Sequence, residues 1–279
     1  MSRQIPVDPR ALAEEPNARG PVHEIAPGLA YRRLGLVNVM FCGEPGSPGW
    51  VLVDAGVSGM RDLILQAAAE RFGEDVPPAA IVLTHGHFDH VGALEDLAAR
   101  WDVPVFAHAL EHPFLDGRSS YPSPDPGVGG LMARLSPLYP RGPVDVSRHL
   151  EALPGDGSIP AMPGWRWIHT PGHSPGHVSL WREADRTLVA GDAVITTRQE
   201  SAYAVAAQTP EIHGPPQYFT PDWPAAARSA TALAGLDPDL LVTGHGPAMH
   251  GPDMRKALHD LAEDFFRIAV PKDGRYAPE

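Results

Sequence analysis

His85, His87, Asp89 and His90 fall within six positions of the chain, directly after the apolar run Ala79-Ala80-Ile81-Val82-Leu83. Five apolar residues in a row read as a buried strand. On an extended backbone, residues two apart point the same way, so His85 and His87 can grip one cation together. Asp89 and His90 fall where the strand must turn into a helix near Val91, and the turn is expected to swing them away from the first pair, toward a second cation nearby. Gly86 and Gly92 permit the bends and close approaches of such a loop. Three imidazoles and a carboxylate on one short loop waste buried polarity unless a metal organises them.

These four residues do not fill two coordination shells, so further ligands are expected elsewhere. Each candidate stands at the end of an apolar run. Trp165-Arg166-Trp167-Ile168 leads into His169-Thr170-Pro171-Gly172-His173-Ser174-Pro175-Gly176-His177. Thr187-Leu188-Val189-Ala190 leads into Gly191-Asp192, and Leu240-Leu241-Val242-Thr243 into Gly244-His245-Gly246. Strand ends that converge on one edge make a site, and glycines beside the ligands let backbone approach a metal. Imidazole and carboxylate without thiolate suit zinc; manganese, iron and cobalt also fit. Two such ions supply a hydroxide at neutral pH and polarise a carbonyl, so no serine or cysteine nucleophile is needed. His108, His112 and His149 match no ligand position and are read as ordinary polar histidines.

The elements that must position these side chains are legible in outline. Strands are expected at Ile25-Ala26, Ala30 to Arg32, Val37 to Phe41 and Trp50 to Val53, separated by Pro/Gly turns. Asp54, at the end of the last of these, reads either as a turn residue or, by the family resemblance given below, as a support for the site. Met60 to Phe72 reads as a helix with Met60, Leu63, Ile64, Ala67 and Ala68 on its apolar stripe. Leu94, Leu97, Ala98 and Trp101 mark the helix after the histidine loop, followed by a strand at Val103 to Ala107. Thr220-Pro221 reads as the N-cap and first position of another helix. Met254, Leu258, Leu261, Ala262, Phe265 and Ala269 mark a last one. Residues 1–21 read as a polar, Pro-rich arm, and residues 22–279 as a single domain. Eleven Pro and Gly residues punctuate Asp116 to Ser147, with only Leu131 to Leu135 helical in pattern. That stretch, about 116–147, reads as a lid-like insertion. Gln199 to Thr220 is a second irregular stretch; a hydroxyl from it, or from Tyr121 or Tyr139, is expected to meet a substrate oxygen.

Composition narrows the partners. Of 279 residues, 34 are acidic and 22 basic, a formal charge of -12. That balance disfavours nucleic acid or an anionic membrane as a general partner. The one cysteine, Cys42, excludes an internal disulfide and reads as a small apolar strand residue. The N-terminus has no apolar leader segment and no run approaches a membrane span, so a cytoplasmic protein is expected. A small molecule is the expected substrate, and a homodimer is compatible with the sequence.

The motif set resembles the metallo-β-lactamase superfamily, in particular its dinuclear metal hydrolases, from about Val51 to His245. The resemblance implies an α/β fold of four layers, an αββα sandwich with the metal site in the cleft between its two sheets. It implies that His85, His87 and His173 hold one metal, that Asp89, His90 and His245 hold a second, and that Asp192 bridges them. Two zinc ions per chain are implied, with iron or manganese as substitutes. Asp89 and His90 then take part in catalysis, Asp89 orienting the hydroxide and moving a proton to the leaving group. His177 repeats the Gly-His step without further ligands to make a third site, so it is expected to support the ligands. Asp192 argues against a dizinc β-lactamase, and His87 against a diiron flavoprotein. Thr170-Pro171-Gly172-His173 is similar to glyoxalase II, but the short tail after His245 argues against that enzyme's glutathione-binding domain. Lactonases acting on acyl-homoserine lactones share the His-x-His-Phe-Asp-His and Pro-Gly-His-Ser-Pro-Gly-His stretches. Hydrolysis of a lactone, small ester or thioester is therefore the expected reaction. The alternatives are a phosphoester hydrolase of the same fold and a mononuclear iron dioxygenase of persulfides using His85, His173 and Asp192.

Overall fold

A computed structural model describes residues 5–13 and 22–277. In chain order the strands are β1 (Ile5–Pro6), β2 (His23–Ala26), β3 (Leu29–Leu34), β4 (Val37–Cys42), β5 (Val51–Val53), β6 (Ala80–Val82), β7 (Val105–Ala107), β8 (Leu150–Ala152), β9 (Trp165–His169), β10 (Val178–Arg182), β11 (Thr187–Val189), β12 (Glu211–Ile212), β13 (Leu240–Val242) and β14 (Met249–His250). The main helices are α1 (Arg61–Phe72), α2 (Leu94–Trp101), α3 (His112–Leu115), α4 (Leu131–Leu135), α5 (Ala202–Ala207), α6 (Trp223–Ala234), α7 (Gly251–Glu263) and α8 (Phe265–Ile268). The described residues fall into two compact units, one from 22–121 and 140–167, the other from 5–13, 122–139 and 168–277. Strand β9 carries the chain from the first to the second.

The first unit holds a seven-stranded sheet in sequential order, β2 to β8. Strands β2 to β5 form antiparallel meanders, and β5 to β8 run parallel. Helix α1 makes the crossover from β5 to β6, and α2 that from β6 to β7. Ile64, Ala67, Ala68 and Phe72 form the buried face of α1. Leu63, placed on that face by its spacing, is 38% exposed instead. The core includes Trp50, whose ring stacks on Phe72 at 4.4 Å and whose Nε1–H donates to Val76 O at 3.1 Å. Because β5 and β6 are parallel neighbours, in register at Val53 and Val82, their carboxyl ends emerge together. That edge is where ligands gather in parallel sheets.

The second unit holds a five-stranded sheet in the order β14-β13-β11-β10-β9. Strands β11 and β13 are parallel, with Val189 opposite Val242, and α6 lies between them in sequence. Trp181, Trp223, Leu233, Met254, Leu258 and Phe265 are among the buried core residues. The last helix expected from sequence is two, α7 and α8, broken at Asp264. Strand β1 pairs with β12, and Val7 and Ala11 join this core. Residues 14–21 of the expected arm lie outside the described residues. Within 122–139 the chain forms two 3-10 turns, Pro126–Val128 and Ser136–Leu138, around α4. The second irregular stretch contains α5 and β12. No helix among the described residues is long and apolar enough to cross a membrane.

Candidate metal centre

In the first unit the ligand loop hangs from the end of β6. His85, His87, Asp89 and His90 are all buried, none more than 6% exposed. Ligand atoms of His85 and His87 lie within 4.8 Å of each other, as do those of His85 and His90 and of Asp89 and His90. The ring of His85 stands perpendicular to that of His87 at 4.8 Å and 4.2 Å from that of His90. The turn thus keeps His90 close to the first pair. Backbone bonds zip the loop to the end of β5: Ala55 N–H donates to His90 O at 2.6 Å and Gly92 N–H to Gly56 O at 2.7 Å. This approach explains Gly92, where a Cβ would sit 2.1 Å from Ser58 N.

Asp54 organises this loop. It is fully buried and takes the left-handed conformation, φ 62°. Its Oδ1 accepts Thr84 N–H at 2.8 Å, and its Oδ2 accepts the Thr84 hydroxyl at 2.7 Å. The same Oδ2 lies 2.8 Å from His90 Nδ1. A carboxylate accepts, so His90 carries its proton on Nδ1 and its lone pair on Nε2. Thr84 spends its proton on Asp54, so its oxygen accepts from His85 Nδ1 at 3.1 Å. One carboxylate therefore sets the tautomers of two histidines, directly and through a threonine.

Beneath the loop lies a second buried acid. Glu111 Oε2 accepts Gly86 N–H at 3.0 Å and the Tyr121 hydroxyl. Burial, then the Glu111 carboxylate, push the Tyr121 phenol well above its ordinary value of 10.0. Tyr121 is thus spent on the loop. Tyr139, the other named candidate for a substrate oxygen, donates its hydroxyl to Met132 O at 3.1 Å. His108 accepts Leu110 N–H at 3.2 Å and packs against Trp167; it joins no ligand group.

The second unit assembles the remaining ligands by the same device. Parallel β11 and β13 bring Asp192 and His245 side by side, and His245 Nε2 is 3.0 Å from Asp192 Oδ2. His173 Nε2 is 3.5 Å from that same oxygen. All three are buried, at most 2% exposed. His173 Nδ1 is 3.2 Å from Thr220 Oγ1, and Thr220 donates to Pro216 O at 2.7 Å. The hydroxyl oxygen must then accept, which puts the His173 lone pair on Nε2. Thr220 is therefore a support for a ligand. The N-cap of α6 is Asp222, whose Oδ1 accepts Ala225 N–H at 2.9 Å. His177 accepts Asp192 N–H on Nε2 at 2.9 Å. A nitrogen holding that bond has no lone pair left for a metal, which agrees with its expected supporting place.

The structure thus gathers the seven expected residues as four in one unit and three in the other. Sequence reasoning missed Thr84, Glu111 and Thr220. Their roles depend on neighbours distant in sequence, and no local pattern marks them. The donor set fits divalent metals: His85, His90 and His173 are bonded through Nδ1, which leaves Nε2 as the atom for a cation, and an Asp192 oxygen lies 3.0 and 3.5 Å from two imidazole nitrogens.

The sequence model of the metallo-beta-lactamase superfamily matches residues 32–245. The chain belongs to the metallo-β-lactamase superfamily. Its α/β architecture of two mixed sheets with helices is that fold. Among relatives, it is 49% identical over 241 residues to "Probable metallo-hydrolase YflN" of Bacillus subtilis, covering 86% of this chain and 91% of that one. It is 31% identical over 196 residues to "Probable metallo-hydrolase YybB" of the same organism, covering 70% and 74%. Among solved structures, TTHA1623 in a di-iron-bound form is 26% identical, with a TM-score of 0.54, covering 79% of this chain and 92% of that one. A β-lactamase domain protein from Burkholderia ambifaria shares the fold at a TM-score of 0.62 and 21% identity, covering 89% and 79%.

Proposed function

We propose that this metal-dependent hydrolase opens lactones, or cleaves small esters or thioesters, with two metal ions. His85, His87 and His173 would hold one ion and Asp89, His90 and His245 the other, with Asp192 shared between them. The observation that carries this reading is the tautomer control. Asp54, Thr84 and Thr220 each occupy an Nδ1–H, so His85, His90 and His173 all present Nε2 lone pairs. Zinc is the metal that suits such ligands best; the di-iron form of TTHA1623 supports iron as its rival. Two bound ions supply a hydroxide at neutral pH and polarise the substrate carbonyl.

The chain's own residues supply the rest. Asp89 orients the attacking oxygen and carries its proton to the leaving alkoxide or thiolate. The stiff hydrogen bonds of Asp54 and Glu111 hold the ligand loop, so little reorganisation accompanies the reaction. Residues 116–147 select the substrate: Leu131 and Leu138 there are 56% and 80% exposed and suit an acyl chain. The proposed substrate is a small molecule of the cytoplasm.

Metal analysis joined to a hydrolysis screen over lactones, thioesters and phosphate esters tests the proposal. About two metal ions per chain and turnover of a lactone or thioester are expected. Removing a ligand by His90→Ala or His245→Ala should lower hydrolysis at least roughly 10²–10³-fold. A parent that hydrolyses nothing, with both variants retaining one iron and oxygen uptake, would establish the dioxygenase instead.

A further inference from the structure

We infer that His177 is the positioning residue of the bridging carboxylate, held in one tautomer by a one-way chain of hydrogen bonds. The inference rests on the metal centre proposed above. Its direction can be read link by link. Ser179 Oγ donates to Ala190 O at 3.0 Å, and a carbonyl can only accept. Ser179 must then accept from Thr170 Oγ1, 2.9 Å away. Thr170 has thereby given its only proton, so it accepts from His177 Nδ1 at 2.8 Å. His177 is left with a lone pair on Nε2, and that nitrogen receives the backbone N–H of Asp192 at 2.9 Å.

The chain spans the sheet. Ser179 lies in β10, Thr170 follows β9, and Ala190 and Asp192 follow β11. His177, Thr170 and Ser179 are completely buried, so water offers no substitute for a lost link. Asp192 follows Gly191, which has φ 54° and whose carbonyl accepts Gly244 N–H at 2.9 Å; the N–H of Asp192 itself is held by His177. His177 thereby fixes the place from which Asp192 Oδ2 meets His245 and His173 at 3.0 and 3.5 Å. The repeated Gly-His of the sequence thus divides the labour: His173 ligates, and His177 aims the ligand beside it.

Four proteins test this: the parent, His177→Leu, His177→Gln and Thr170→Val. Leucine removes both bonds at similar bulk. Glutamine's Oε1 lies near the position of Nε2 and restores the acceptor alone. Thr170→Val leaves the imidazole but removes the partner that sets its tautomer. The readouts are the dissociation constant for zinc by chelator competition, the Co(II) absorption spectrum, and the melting temperature without metal. His177→Leu should bind the metal pair roughly 10–100-fold more weakly, with an altered cobalt spectrum. His177→Gln should recover most of that affinity, and Thr170→Val should fall between. A merely structural histidine would lower the melting temperature without a rescue specific to glutamine. Folded His177→Leu with the parent's affinity and spectrum overturns the assignment, as does glutamine that binds no better than leucine. If leucine prevents folding, Thr170→Val with unchanged affinity and spectrum overturns it as well. A parent that binds no metal removes the centre itself, and the inference with it.

Discussion

Asp54→Asn isolates the tautomer control. The exchange keeps shape, and asparagine tolerates the left-handed backbone as aspartate does, so the φ of 62° adds no strain. The carboxylate now accepts three bonds, from Thr84 N–H, the Thr84 hydroxyl and His90 Nδ1–H. With the amide oxygen on Thr84 N–H, the new NH2 faces both the hydroxyl and the His90 nitrogen. His90 must either keep Nδ1–H against another donor or move its proton to Nε2. The first leaves buried donors unmatched, a penalty of about 1–3 kcal/mol. The second occupies the atom that binds metal and must be reversed on binding. By either route His90 loses affinity by about 1–3 kcal/mol, or roughly 5–150-fold at 1.4 kcal/mol per decade. The disturbance reaches His85 too, because Thr84 now accepts from the amide and turns its proton toward His85 Nδ1. The expected result is one weakened and one depleted metal position, read by chelator competition and metal analysis on folded protein. Asp54→Asn with two metals bound within twofold of the parent's affinity would refute the reasoning.

Four shorter predictions follow from other features. Gly92→Ala forces a Cβ to 2.1 Å from Ser58 N; it should cost about 1–3 kcal/mol or more in urea unfolding, and equal stability would contradict the packing described. Tyr121→Phe should be less stable than the parent at neutral pH by about 1–3 kcal/mol. Because the folded phenol titrates above its ordinary value of 10.0, the stability it adds is complete below that pH and is lost above it, so the gap between the two proteins should close in alkali. Burial raises the Glu211 carboxyl above its ordinary 4.5. Its contribution is complete below that pH and lost as pH rises through the folded value, so Glu211→Gln should melt higher relative to the parent at pH 8 than at pH 4. Stripping metal with a chelator should lower the unfolding free energy by about 2.7 kcal/mol when the free metal had stood at 100 times its dissociation constant, and an unmoved melting temperature would deny that metal binds the folded state.

The seven residues expected to bind metal were legible because chemistry is concentrated at strand ends. His-x-His after an apolar run, and a lone Asp or His after a short one, are local patterns. The parallel pairing of β5 with β6 and of β11 with β13 then follows from helices falling between them. The supports were not legible, because each depends on a neighbour brought in by the fold. Thr220 stands 47 residues from His173. Its place before Pro221 imitates a helix cap, while Asp222 holds that position. Glu111 carries no motif, and only its burial beneath Gly86 gives it meaning. Leu63 fits the helical stripe of α1 by spacing, yet the stripe that packs is centred on Ile64 and Ala68.

The interleaving of the two units along the chain has a consequence for biosynthesis. Crossings at 121/122, 139/140 and 167/168 leave neither unit contiguous. Strand β1 must wait for β12, some two hundred residues later, before it has a partner. Strand β13 sits inside its sheet between β11 and β14, so that sheet stays incomplete until residue 250 has been made. The seven-stranded sheet has all its strands by residue 152. His85, His87, Asp89 and His90 are therefore ready well before His245 exists. At roughly 5–20 residues per second, the interval between His90 and His245 lasts about 8–30 seconds. Until Asp192 follows, roughly 5–20 seconds after His90, the nascent chain has four of the proposed ligands and no bridge. In the proposed centre, a metal captured then would be held by the loop alone and open to exchange until Asp192 and His245 arrive.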